Sequence, residues 1–291
     1  MLGAMTIEIG SEDAPNISHC LRRTPATTVS EYKEYKDPGQ PYLFFDLYPF
    51  DLGDLPNFSV PDHTDVDGDG DTDYVGGILK ATDGVSYGYT NWFITNFQRL
   101  KESERYGVGW FRGAYHYLQF LQPGATQADF YLKTVEKAGG WDDGVIMPIV
   151  DIEFGGERAS NRKASTQQIV DQASAFAYRV KEKTGRRCML YGRGANRDRS
   201  ITSKMGCDCV WNPSYTERMV TNGLVGTLPD GNKAPWTIDD IVGWQYGGDG
   251  VGVNTTHKLP LEIKGFGKID LSVYIDGARV PTLASLKARM I

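Results

Sequence analysis

Val145-Ile146-Met147-Pro148-Ile149-Val150-Asp151-Ile152-Glu153-Phe154 is the stretch whose reading decides the fold. Side chains at i and i+2 of a strand point the same way. Met147, Ile149, Asp151 and Glu153 therefore share one face, and Pro148, Val150 and Ile152 the other. The first face turns from apolar to acidic along the chain direction. In a parallel barrel that change falls at the C-terminal rim, where active sites sit. Two carboxylates this close do not both ionise freely, because like charges raise one pKa. A protonated acid beside an ionised partner is the equipment for breaking a glycosidic bond. Spacing alone leaves two other roles open for Asp151-Ile152-Glu153, a loop cap and a cation ligand.

Outward from this strand, apolar runs alternate with helical patterns from Pro41 onward, which points to βα units. Tyr42 to Leu47 is a continuous apolar run suited to a strand buried on both faces. Tyr74 to Ala81 is a second strand, and Val108 to Leu118 a third. Between them a helix starts near Asn91 with Phe93, Phe97 and Leu100 on one face; Ala128, Leu132 and Val135 mark the next. A further helix spans Thr166 to Lys183, with Ile169, Ala173, Phe176 and Val180 as its apolar stripe and Gly185 as its stop. Later strands are expected at 187–192, 208–212, 240–246 and 268–274, with less helix between them. The expected fold is α/β, an irregular TIM-like (β/α) barrel over residues 41–291 with fewer helices in its second half. Residues 1–40 are polar and without sustained period, an N-terminal extension.

The 291 residues, 40% of them hydrophobic, suffice for one large core. No run of about 18 apolar residues is present, so no transmembrane helix is expected. No basic region followed by an apolar stretch opens the chain, so no Sec-type signal peptide is expected either. Net charge is −6, and the longest basic run is Arg186-Arg187. The Arg193 to Arg199 stretch is broken by Asp198. Nucleic acid is not an expected partner. Cys20, Cys188, Cys207 and Cys209 lack the paired Cys-x-x-Cys of zinc sites. Buried thiols on neighbouring strands account for Cys188 with Cys207 or Cys209, with a disulfide or a metal as the alternatives.

Asp65-Val66-Asp67-Gly68-Asp69-Gly70-Asp71-Thr72-Asp73 sets carboxylates at alternate positions around a turning glycine. Up to its ninth position this follows the ligand spacing of an EF-hand loop. The twelfth position is Gly76 in place of a bidentate Glu, so the set is incomplete unless another carboxylate joins it, with Asp62 as the candidate. Carboxylates this dense repel one another without a cation. The expectation is a structural Ca²⁺ held by Asp65, Asp67, Asp69, Asp71 and Asp73 on a loop inserted at 62–76, with a solvated acidic loop as the alternative. No cofactor is expected in catalysis.

Five further segments stand in order around the acidic pair. They are Phe45-Asp46-Leu47-Tyr48, Lys80-Ala81-Thr82-Asp83-Gly84, Gly113-Ala114-Tyr115-His116-Tyr117, Trp244-Gln245-Tyr246 and Ile269-Asp270-Leu271-Ser272. Together with Asp151-Ile152-Glu153, this series resembles the family 25 glycoside hydrolases, the Chalaropsis-type lysozymes of bacteria, fungi and phage endolysins. The resemblance implies a peptidoglycan hydrolase that cuts the β-1,4 bond between N-acetylmuramic acid and N-acetylglucosamine. It implies Glu153 as general acid, Asp151 as its partner, and Asp46 and Asp270 as further carboxylates of the cleft. Tyr48 departs from the small residue the family carries after its first-strand Asp, which makes Asp51 a rival to Asp46. Tyr115, Tyr117, Tyr191, Trp211, Trp244 and Tyr246 are candidates to pack on sugar rings, and His116 and Gln245 are polar candidates for the substrate site. The implied partner is the peptidoglycan glycan strand at the bacterial cell wall. Delivery would be by phage lysis, as a virion component, or by another Sec-independent route, with virion or tail partners through residues 1–40. A catalytically silent wall-binding or virion protein on the same fold is the alternative.

Overall fold

In the computed structural model, the described residues are 42–53, 56–58, 61, 74–102, 111–142, 144–155, 159–215, 219, 224–248, 251–252 and 259–274. The N-terminal extension, Cys20 and the Asp65–Asp73 loop lie outside them.

The β-branched and aromatic runs form β1 (Leu43–Leu47), β2 (Tyr74–Asp83), β3 (Phe111–Tyr117), β4 (Ile149–Asp151), β5 (Cys188–Tyr191), β6 (Cys207–Pro213), β7 (Ile241–Gly248), the two-residue β8 (Val251–Gly252) and β9 (Asp270–Tyr274). Strands β1 to β7 pair in sequence order, every pair parallel. Strand β9 closes the ring between β7 and β1, antiparallel to both. The result is a closed eight-stranded mixed barrel, with β8 a short hairpin arm on β7. Closure leaves no free sheet edge in the ring.

The helices are α1 (Thr90–Glu102), α2 (Gly124–Lys137), the single turn α3 (Ala159–Arg162), α4 (Thr166–Thr184) and the short α5 (Gly194–Arg199). Only a 3₁₀ turn, Ile238–Asp240, is assigned among the described residues after α5, so the helical cover thins in the second half. Local signals set the bounds of α4. The Ser165 hydroxyl accepts from the Gln168 amide at 3.2 Å, and the Gln168 side chain accepts from the Ser165 amide at 2.8 Å, a reciprocal capping box. At the other end Gly185 adopts φ +71° and returns its N–H to the Lys181 carbonyl.

Alternation along the strands builds two cores. Phe44, Ile78, Phe111, Ile149, Met189, Cys209 and Trp211 point inward and fill the barrel. Phe45, Leu79, Ala114, Val150, Leu190 and Trp244 point outward beneath the helices, where Phe93, Phe97, Tyr131 and Phe176 meet them. Cys188 and Cys207 are register partners on β5 and β6, and the three described cysteines are buried free thiols.

Candidate active site

The apolar filling stops short of the C-terminal rim. There the inward positions of successive strands carry Asp46 (β1), Lys80 (β2), Tyr115 and Tyr117 (β3), Asp151 (β4), Tyr191 (β5), Gln245 (β7) and Asp270 (β9). Because β9 runs against its neighbours, its first residue reaches the rim that the last residues of the others reach. Register pairs Asp270 directly with Asp46.

Gln245 ties this side of the rim together. Its Nε2 donates to Asp46 Oδ1 at 2.9 Å and to Asp270 Oδ2 at 3.2 Å. Its Oε1 accepts from the Tyr191 hydroxyl at 2.7 Å and the Tyr215 hydroxyl at 2.8 Å. One amide thereby uses both its donors and both lone pairs. Burial, and next the charge of Asp270, hold the Asp46 carboxyl well above the usual carboxylate range; the Gln245 bond opposes them.

Asp151 and Glu153 face this cluster from β4. Asp151 is 4% exposed, and its Oδ1 has no hydrogen-bond partner among the described residues. Burial first, and then the charge of Glu153, push its carboxyl well up, while Lys80 pulls it down. Glu153 lies two residues on, past the end of the strand. Burial raises its carboxyl too, again against Lys80. A carboxyl pair of this kind keeps a proton at pH values where an exposed pair would hold none.

Lys80 brings a cation to the rim. Its Nζ lies 3.1 Å from Asp83 Oδ2, 4.7 Å from the centre of the Tyr117 ring and 5.6 Å from that of Tyr87. Burial raises the phenols of Tyr115 and Tyr191 well above their usual value, so both stay protonated donors.

Backbone contacts fix the loop that bears Glu153. Asn161, fully buried on α3, donates to the Glu153 carbonyl at 3.0 Å and the Leu118 carbonyl at 2.9 Å, and accepts from the Phe120 amide at 2.9 Å. The Ile152 amide donates to the Tyr191 carbonyl at 2.9 Å. Gly192 sits at φ +122°, and a Cβ there would stand 2.5 Å from the Ile152 carbonyl oxygen. Only glycine lets the two rim loops approach this closely.

The rim gathers eight of the expected residues: Asp46, Asp151, Glu153, Asp270, Tyr115, Tyr117, Tyr191 and Gln245. Four others, His116, Trp211, Trp244 and Tyr246, need correction. His116 and Tyr246 fall on the outward positions of β3 and β7 and are 0% exposed. His116 is held between Thr82 Oγ1 at 2.8 Å and Gln127 Oε1 at 3.0 Å and stacks on Phe176. Tyr246 packs on Trp244, itself outward and bonded through Nε1 to the Ser214 carbonyl. Strand alternation, which carries Gln245 inward, carries both its neighbours away. Trp211 does point inward, but it is 1% exposed, donates to Ser272 Oγ at 3.0 Å and lies under Tyr191. It supports the rim from below. Asp51 does not displace Asp46: its carboxylate accepts from the Tyr48 amide at 2.7 Å and caps the turn after β1. Lys80, Tyr215 and Asn161 complete the site without having been assigned from sequence. A lysine inside an apolar strand was the signal for Lys80; a lone Asn in a one-turn helix offers none.

Comparison with known proteins bears on the family and the fold. The model of the glycosyl hydrolases family 25 matches residues 72–253. Similar solved structures include a family GH25 lysozyme from Aspergillus fumigatus, 19% identical, covering 86% of this chain and 99% of that one at TM-score 0.57. A bacterial lysozyme from Streptomyces coelicolor is 21% identical, with coverages of 87% and 99% and TM-score 0.57. A family 25 glycosyl hydrolase from Bacillus anthracis is 19% identical, with coverages of 83% and 89% and TM-score 0.55. A comparison with curated protein sequences gives no match. The barrel and its acidic rim are those of a glycoside hydrolase. The chain belongs to the glycosyl hydrolases family 25. No helix of the described residues is long and apolar enough to cross a membrane.

Proposed function

We propose that this enzyme is an N-acetylmuramidase that cleaves the β-1,4 bond from N-acetylmuramic acid to N-acetylglucosamine in the bacterial wall, with Glu153 and Asp151 performing the chemistry. The observation that carries this is the pair itself: a buried Asp151 and a partly buried Glu153, both of raised proton affinity at one strand end, with Asp151 Oδ1 lacking a partner among the described residues. Glu153, nearer solvent, gives its proton to the glycosidic oxygen as the bond to the anomeric carbon breaks. Asp151 accepts the N–H of the 2-acetamido group, so that the acetamido oxygen closes on the anomeric carbon in place of a protein nucleophile. Water then opens that ring, returning its proton to Glu153. Tyr115 donates to the sugar, and the Tyr191 oxygen, whose proton goes to Gln245 Oε1, accepts from it. Asp46, Asp270 and Gln245 form the polar wall opposite.

Incubation with purified peptidoglycan should release new muramic acid reducing ends. Glucosamine ends would point to a different glycan bond. Sedimentation with the wall without cleavage would favour a silent binder. Glu153→Gln should lose turnover by a factor of at least ~100 with an unchanged melting temperature; retained activity would remove Glu153 as the acid. From sequence we also infer that Asp65, Asp67, Asp69, Asp71 and Asp73 hold a structural calcium ion, apart from the chemistry.

A further inference from the structure

Large apolar side chains exposed to solvent are not scattered over the molecule. Among the described residues there are seven, and six of them (Tyr48, Phe50, Val85, Tyr89, Leu121 and Tyr215) lie on loops that follow the C-terminal ends of β1, β2, β3 and β6. Only Tyr178, on α4, lies elsewhere. Folding does not require these rings at the surface, and such a concentration marks a surface that meets something.

Four aromatics in this set and beside it form a row. Tyr87 and Tyr89 have ring centres 5.5 Å apart, Tyr89 and Phe50 5.0 Å, and Phe50 and Tyr48 5.8 Å, with mutual tilts of 57° to 73°. The inner end of the row touches the acid pair's surroundings. Lys80 Nζ lies over both Tyr87 and Tyr117, and the Tyr117 hydroxyl donates to the Glu153 carbonyl at 3.3 Å. The Tyr87 and Tyr115 hydroxyls are also near enough to interact electrostatically. Phe50, third in the row, is its most exposed member at 66% and has no polar atom for water to hold. The loops beneath are pinned: the Val85 amide donates to Gln122 Oε1 at 2.8 Å, and Trp92 Nε1 donates to the Gly53 carbonyl at 3.0 Å.

We propose that Tyr87, Tyr89, Phe50 and Tyr48 form a sugar-binding platform that prolongs the active-site rim and holds glycan units outboard of the bond being cut. The occupant is the continuing glycan strand, because both ends of the row adjoin the active-site rim: Tyr87 lies against Lys80, and Tyr48 directly follows β1, two residues past Asp46. Sugar rings present C–H faces that suit aromatic rings, and the uncharged row suits N-acetylated sugars more than ionic groups. Platform and rim together favour long strands over short fragments. This rests on the muramidase reading above.

The test uses the full chain carrying Glu153→Gln, so that ligand survives. Binding is measured for peptide-free glycan strands of many disaccharides and for a two-disaccharide fragment. Phe50→Ala with Tyr89→Ala should weaken the long strands by roughly 5- to 100-fold, about one stacking contact for each ring removed. The ratio of long-strand to short-fragment affinity should fall nearly as far. Phe50→Trp with Tyr89→Trp should restore that ratio, and near-ultraviolet dichroism with thermal melts checks folding. An unchanged ratio, where the Glu153→Gln parent binds strands and the unsubstituted enzyme cleaves them, overturns the platform and leaves the muramidase reading standing. Strands that neither bind the parent nor are cleaved by the unsubstituted enzyme overturn the muramidase reading first. A loss confined to peptide-bearing strands gives the row to the stem peptide, and a concentration-dependent mass abolished by Phe50→Ala gives it to a second copy. Either result overturns the proposal.

Discussion

Replacing Gln245 with Met removes the amide from the rim but keeps an unbranched side chain of nearly the same length. The residue is 0% exposed and makes four hydrogen bonds, two to carboxyls and two from phenols. A neutral bond contributes about 0.5–1.5 kcal/mol net, one to a charged group about 1.5–3, and a stranded buried group costs about 1–3. The four do not simply add. Tyr215 is 40% exposed and turns its hydroxyl to water, whereas the Asp46 carboxyl has little access to solvent. The net loss is about 3 kcal/mol near neutral pH, in the upper part of what single substitutions do. At roughly 2–4 °C per kcal/mol the melting temperature falls by about 6–12 °C.

The sign of the pH dependence discriminates further. Burial and Asp270 raise the Asp46 carboxyl, and the Gln245 bond lowers it, so removing the amide raises it more. A carboxyl with a folded pKa above its unfolded one stabilises fully below the unfolded value, and that stability is lost as pH rises through the folded value. Gln245→Met widens this window. Its destabilisation should therefore be smaller near pH 4.5 and grow toward pH 7.5, read from denaturant midpoints at each. An equal loss at both, or a greater loss in acid, would refute the view that the amide holds two crowded carboxyls in place.

Other outcomes follow from neighbouring contacts. Lys80 lowers the proton affinity of both Asp151 and Glu153, so Lys80→Met should move the basic limb of the pH–rate profile to higher pH; an unmoved or acid-shifted limb counts against it. His116 is held by burial at a pKa of about 4, below its usual 6.5. Its neutral form stabilises fully above the unfolded value, and that contribution, on the order of 3 kcal/mol, is lost as pH falls toward 4. His116→Gln should flatten this acid loss relative to the parent in denaturant titrations; an unchanged difference between about pH 7 and about pH 4.5 would remove His116 as its source. Chelation should lower the melting temperature if Asp65 to Asp73 hold calcium, and added calcium should restore it; an unmoved melt counts against a bound ion.

Much of the barrel was legible because local chemistry specifies it. Ser165 and Gly185 bracket α4 whatever surrounds them, and the apolar runs at Leu43–Leu47 and Cys188–Tyr191 fit only strands buried on both faces. The direction of β9 was not legible. Asp270 to Tyr274 alternates identically read either way, and only the ring fixes its sense. Site residues divide on the same ground. Asp151 and Glu153 announce themselves by acid at the end of an apolar strand. Trp244-Gln245-Tyr246 shows three plausible ligands, and only the inward register of Gln245 selects one. Tyr215 and Asn161 act from loop and single-turn positions, where no period exists to read.

The antiparallel closure also bears on how the enzyme is made. Asp46 and Asp270 are direct partners, yet most of the chain separates them. Such pairing gives a high contact order, and folding steps that depend on it are slow. During synthesis Asp151 and Glu153 emerge well before β9, while β1 and β7 still lack the strand that joins them. Gln245 has no Asp270 to bond until then. The polar wall opposite the acid pair is thus assembled last, and a nascent chain carries its acids before it carries a finished place to use them.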